Sequence, residues 1–146
     1  MAVKVVEIHH HAVRIGSDAA TLESLERFYD ETLGLKRDTG KPEIAGIPGM
    51  WINVGEVGQL HLIGGPLPSR LAQSPDKDPT LPHVALGVED IAATRAELDR
   101  LGADYWSLKG ATSPDAEQLF LKDPCGNVIE LHQFDKCRCA LRSRVK

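Results

Sequence analysis

The sequence contains no run of about 18 consecutive apolar residues, so no stretch of it reads as a membrane-spanning helix. It has no excess of basic residues either. Its 17 Lys and Arg stand against 21 Asp and Glu, and a net charge of -4 argues against a nucleic-acid backbone as partner. Cysteine is scarce: Cys125, Cys137 and Cys139, an odd number with two of them one residue apart, do not read as a disulfide framework. The stretch Met1 to Glu7 is too short and too charged for a secretory leader, and a reducing cytoplasm is the expected compartment. The Cys137-Arg138-Cys139 pair is expected to be an exposed tail thiol pair rather than a soft-metal site.

What the sequence does contain is a repeat. His10-His11-Ala12-Val13-Arg14-Ile15 and His83-Val84-Ala85-Leu86-Gly87-Val88 align with an offset of 73, matching His10 to His83 and Ala12 to Ala85. Later in each half comes a second strand-like stretch with a potential ligand at its centre, Gln59-Leu60-His61-Leu62-Ile63 and Val128-Ile129-Glu130-Leu131-His132. Between these stretches, Leu22, Leu25, Phe28, Tyr29 and Leu33 recur at helical spacing over Ala19 to Thr32, ended by Gly34. Asp90 is placed to cap a second helix, Ile91 to Leu101, with Ala92, Leu98 and Leu101 on its buried side and Gly102 at its end. Leu35 to Arg37, Met50 to Val54, Tyr105 to Leu108 and Gln118 to Lys122 read as further strands.

Each half therefore reads β-α-β-β-β. The expected fold is α+β: two βαβββ modules, about 4–65 and 81–135, with curved mixed sheets around a cup. A proline-rich linker covers 66–80, the whole forms one domain over 1–135, and a basic tail occupies 136–146. That tail has no periodicity and is expected to be solvated and only partly ordered.

Strand parity selects the side chains that face the cup. If Val84, Leu86 and Val88 pack on the helix, His83 faces the other way; the same logic selects His10 rather than His11, and His61 and Glu130 in the later strands. His9 and His11 are then surface or structural histidines. Four candidates, His10, His61, His83 and Glu130, converge on one face, and their imidazole and carboxylate groups suit a divalent Zn, Ni, Co, Fe or Mn ion. Arg14 falls on the same face, where a guanidinium can hold a substrate carboxylate or phosphate. His132 falls there too, as a group that lines the cup or as a strand-end surface residue.

The His-x-Ala-x-x-Ile/Val strands, the helix carrying Arg27-Phe28-Tyr29 and ending Leu33-Gly34-Leu35, and the hairpin Lys122-Asp123-Pro124-Cys125-Gly126-Asn127-Val128-Ile129-Glu130-Leu131 together resemble the vicinal oxygen chelate superfamily, over about residues 5 to 134. Its members include glyoxalase I, methylmalonyl-CoA epimerase, extradiol dioxygenases and bleomycin-resistance proteins. The resemblance implies one divalent metal ion acting as a Lewis acid toward two neighbouring oxygens of a small substrate, through an enediolate-type intermediate. It implies Glu130 as both ligand and catalytic base. A homodimer is the expected assembly, because half-open cups expose sheet edges. This chain departs from bacterial glyoxalase I at His61, where a glutamate is usual, and it shows no glutathione-binding pattern. The expected function is thus a glyoxalase-like lyase or isomerase. An extradiol-type Fe(II) dioxygenase and a drug-sequestering protein are the alternatives the same scaffold supplies.

Overall fold

The computed structural model describes residues 2–145. Its elements are β1 (Val5–Arg14), α1 (Ala19–Arg27), β2 (Gly49–Asn53), β3 (Gln59–Ile63), β4 (His83–Val88), α2 (Ile91–Arg100), β5 (Tyr105–Lys109), β6 (Glu117–Lys122), β7 (Val128–Gln133) and α3 (Leu141–Arg144). All seven strands form a single mixed sheet in the order β2-β3-β1-β4-β7-β6-β5, the α+β arrangement expected. The two modules meet edge to edge through β1 and β4, which run antiparallel.

The register shows the repeat as symmetry. Across the β1–β4 seam His10 lies opposite Ala85, and Ala12 lies opposite His83. Within the modules, Ala12 lies opposite His61 on the parallel neighbour β3, and Ala85 lies opposite Glu130 on the parallel neighbour β7. Each matched pair thus sits at the same level of the sheet, and the four positions crowd about the seam.

One face of the sheet carries the helices. Met50, Ile52 and Leu62 are buried there beneath Leu22, Leu25 and Tyr29 of the first helical segment, and Val88, Leu119 and Leu131 are buried beneath Leu98 of α2. Burying a side chain of this kind stabilises by roughly 1.5–3 kcal/mol, so these two clusters fix which way every strand faces. Asp18 and Asp90 cap α1 and α2 by accepting from the N–H groups of Thr21 and Ala93. Gly34 and Gly102 take left-handed conformations just beyond the helices, where a side chain would be strained.

Three elements differ from expectation. The first helix changes from α to π winding over Phe28–Thr32, and Phe28 and Leu33 are exposed. At about 100° per residue Phe28 lies well off the stripe of Leu22, Leu25 and Tyr29, and the wider π turn carries Leu33 away from the sheet. In α2 the buried residues are Thr94 and Leu98; Leu101 stands beyond the last helical residue, and it and Ala92 face solvent. The strand expected over Leu35 to Arg37 is reduced to one bridge between Arg37 and Ile52, because the Leu35 N–H is already used on the Tyr29 carbonyl and the chain turns away after Asp38. No helix among the described residues is long and apolar enough to cross a membrane.

Candidate functional site

Opposite the helices, the sheet curves around a cavity of about 690 Å³, within the usual range for small-molecule sites. At its floor three side chains meet. Glu130 Oε2 lies 3.0 Å from His10 Nε2 and 3.0 Å from His83 Nε2, and the two nitrogens lie 3.2 Å apart. All three residues are buried and all three line the cavity. The His83 ring is aimed by its other nitrogen, Nδ1, 2.6 Å from the Leu81 carbonyl. Glu130 is held through Oε1, which accepts from Gln118 Nε2 at 2.8 Å and faces His132 Nδ1 at 3.0 Å.

His61 is in the cup but not turned to this triad. Its ring stacks between His10, at 3.6 Å, and Trp51, at 4.3 Å, and its Nε2 donates to Gln59 Oε1 at 2.8 Å. His132 is buried and lines the cavity beside Glu130 rather than sitting at a strand-end surface. Arg14 does not line the cavity: its guanidinium donates to the carbonyls of Gly64 and Thr80 at 3.4 Å each and to that of Gly65. It ties the end of module 1 to the linker, away from the residues that line the cup.

Two features escape a parity argument. His9 has none of its surface exposed and faces the cup beside His10. The register of β1 against β4 slips between Ile8 and His10, a bulge that brings two successive side chains to one face. Gly87 on β4 makes room for the ring: a Cβ there would lie 2.7 Å from His9 Nε2. A glycine inside a strand is a recognised mark of such an approach, and was the available signal. The second feature is the tail. Far from being solvated, the chain after β7 folds back over the cup, where Cys139 and Ala140 are buried and Leu141–Arg144 forms α3. Arg138 is anchored to Asp38 by two hydrogen bonds, and Cys139 Sγ lies 3.3 Å from His10 Nδ1. The thiols expected to be exposed therefore form part of the cavity wall.

The protonation states follow from this crowding. Burial pulls the His10 imidazole down to about 4 and the His61 imidazole well below its usual range. Burial alone would raise the Glu130 carboxyl, but its contacts with His10, His132 and His83 outweigh that and hold it well below the ordinary carboxylate range. A neutral His10 with a lone pair at Nε2 and an ionised Glu130 are the forms in which these groups ligate a metal. Burial opposes charge on His132 as well, yet Cys137 and Glu130 on its two sides push it up to about 10. Cys137 is brought well below the usual thiol range, first by its hydrogen bond with Cys139 and, against burial, by His132 and His9. The donor set of two nitrogens and one carboxylate oxygen, buried and already within touching distance of one another, fits a first-row divalent ion.

Comparison with known proteins agrees with this architecture. A model of the family described as glyoxalase-like domain matches residues 14–132. An Arabidopsis thaliana protein named glyoxylase I 4 is 28% identical over 113 residues, which make up 77% of this chain but 61% of that longer protein. Among solved structures, methylmalonyl-CoA epimerase from Mycobacterium tuberculosis superposes with a TM-score of 0.64 at 19% identity, over 91% of each chain. A variant of the Streptomyces coelicolor epimerase in complex with 2-nitronate-propionyl-CoA gives 0.64 at 17% identity, over 89% of this chain and 98% of the other. At such identities the structural likeness shows a shared fold. The match of the family model across most of the chain establishes that it belongs to the glyoxalase-like domain family, within the vicinal oxygen chelate superfamily.

Proposed function

We propose that this chain is a divalent-metal-dependent lyase or isomerase acting on a small substrate with two neighbouring oxygens. In this reading His10, His83 and Glu130 hold the ion, with His61 as a fourth ligand once it releases Gln59. The observation that carries it is the meeting of two imidazoles and one carboxylate within 3.2 Å at the floor of a cavity. A divalent ion bound there would supply Lewis acidity toward the paired oxygens.

The protein's own groups do the rest. Glu130 accepts the proton next to the substrate carbonyl, and His132 and Gln118 hold its carboxylate in position. Gln118 Oε1 is buried without a partner among the described residues, and is free to accept from a substrate hydroxyl. Trp51 and the returning tail exclude water from the floor. A homodimer belongs to the same reading, supported by the open edge of β5; light scattering at twice the chain mass checks it.

The experiment is metal analysis of protein purified without added metal, followed by a screen against the methylglyoxal–glutathione hemithioacetal, methylmalonyl-CoA and catechols. Turnover of one of these that disappears in Glu130→Gln, with metal retained, supports the reading; a fully active Glu130→Gln contradicts the base assignment. The two-histidine, one-carboxylate set also matches Fe(II) ring-cleaving dioxygenases, and oxygen uptake on adding a catechol identifies that chemistry instead. Ligand binding that survives His83→Ala with no metal present identifies a sequestering protein.

A further inference from the structure

The returning tail brings two thiols to a pair of histidines that the centre above does not use as ligands. Cys137 Sγ lies 2.9 Å from His9 Nδ1, and that nitrogen is in direct contact with His132 Nε2. Cys139, whose N–H donates to Cys137 Sγ at 3.2 Å, completes a group of four ligand atoms that all lie within 4.8 Å of one another. His9, His132 and Cys139 are buried, and Cys137 is half-buried.

The outer nitrogen of each ring is already engaged. His9 Nε2 lies 2.8 Å from Glu7, and His132 Nδ1 lies 3.0 Å from Glu130. A carboxylate behind the imidazole is the usual support of a metal-bound histidine, because it takes the ring proton and leaves the inner nitrogen with a lone pair. Here that leaves two inner nitrogens, His9 Nδ1 and His132 Nε2, aimed at each other. Two nitrogens in such contact need a cation with them, either the proton that His132, with its raised pKa, holds or a metal ion that displaces it, and two sulfurs stand beside the same point. The fold has been shaped to make this arrangement: the bulge turns His9 inward, and Gly87 leaves the space its ring fills.

We propose that His9, His132, Cys137 and Cys139 form a second metal site, distinct from the centre at His10, His83 and Glu130, which takes a thiophilic tetrahedral ion of the Zn(II) type. Two nitrogens and two sulfurs are a closed ligand set of the structural kind, leaving no position for substrate. Its role is to fasten residues 137–139 over the cup. It also bears on the neighbouring centre from two sides, because His132 holds Glu130 and Cys139 lies against His10.

The test is Co(II) titration of the reduced Cys125→Ser chain, in which Cys137 and Cys139 are the remaining thiols. A thiolate-to-Co(II) charge-transfer band is expected, together with two zinc ions per chain when zinc replaces cobalt. The band persists in His83→Ala, which empties the other centre, and disappears in Cys137→Ser/Cys139→Ser. Absence of the band in the parent chain overturns the proposal, and shows that the two histidines share only a proton. Loss of the band in His83→Ala also overturns it, since the groups then form one merged centre. The parent spectrum decides the matter even if the double serine variant does not fold.

Discussion

His10 Nε2 and His83 Nε2 lie 3.2 Å apart although 73 residues separate them in the chain. Their proximity follows from the antiparallel β1–β4 seam, which sets each histidine against the alanine two residues beyond the other. With Glu130 of β7, the proposed centre draws its side chains from three neighbouring strands of one chain.

The carboxylate between them depends on Gln118, which donates to Glu130 Oε1 at 2.8 Å. Gln118→Ala should weaken metal binding by about 10-fold, the lower end of what loss of a supporting hydrogen bond costs a ligand. Competition with a chromogenic chelator measures it. Unchanged affinity would show that Glu130 needs no such support.

Gly87→Ala places a Cβ within 3 Å of the His9 ring and against Phe134. It should destabilise the fold by about 1–3 kcal/mol, as overpacking does. Much of that loss should be recovered in Gly87→Ala/His9→Ala, so denaturant melts of the single and double variants should be strongly non-additive. Additive losses would place the strain elsewhere.

The contrast between His10 and His9 shows how far the sequence alone can reach. The alternation of Val84, Leu86 and Val88, and of Leu60 and Leu62, carries the facing of His83 and His61 directly, because a helix-covered face must be apolar. His9 was invisible to that logic: a bulge breaks the two-residue period at the very place where three histidines run together. The tail was invisible for another reason. Its order comes from single polar anchors, such as Arg138 on Asp38 and Arg142 on Glu7, and from two thiols, none of which leaves a periodic trace. The stretch Leu35 to Arg37 falls short of a strand, since nothing local shows that the Leu35 N–H is taken by the Tyr29 carbonyl of the preceding helical segment.

Arg14 was expected at the substrate and is found on three backbone carbonyls. Arg14→Ala should therefore cost about 2 kcal/mol of stability, in line with charged hydrogen bonds, and leave metal content and KM unchanged. A rise in KM without a loss of stability would return Arg14 to the substrate.

Asp38 makes the tail sensitive to acid. Burial opposes its ionisation, but Arg138, the Gly40 N–H and Gln59 outweigh burial and hold the carboxyl below its ordinary value of 3.8. A carboxyl lowered in the folded state stabilises the fold at every pH above its unfolded value, and the contribution disappears as pH falls through the folded value. Asp38→Asn should thus be less stable than the parent by about 2 kcal/mol near neutrality, with the gap closing in acid below 3.8. Urea melts across that range test it, and a gap independent of pH would exclude the ionised pair as its source.

In the proposed centre one chain gathers His10, His83 and Glu130 around a single ion. An anomalous difference map from crystals grown with zinc tests it most directly. The map should show a peak about 2.0–2.2 Å from His10 Nε2, His83 Nε2 and a Glu130 carboxylate oxygen of the same chain. A map with no peak among these three atoms, or one whose ligands come from two chains, would contradict it.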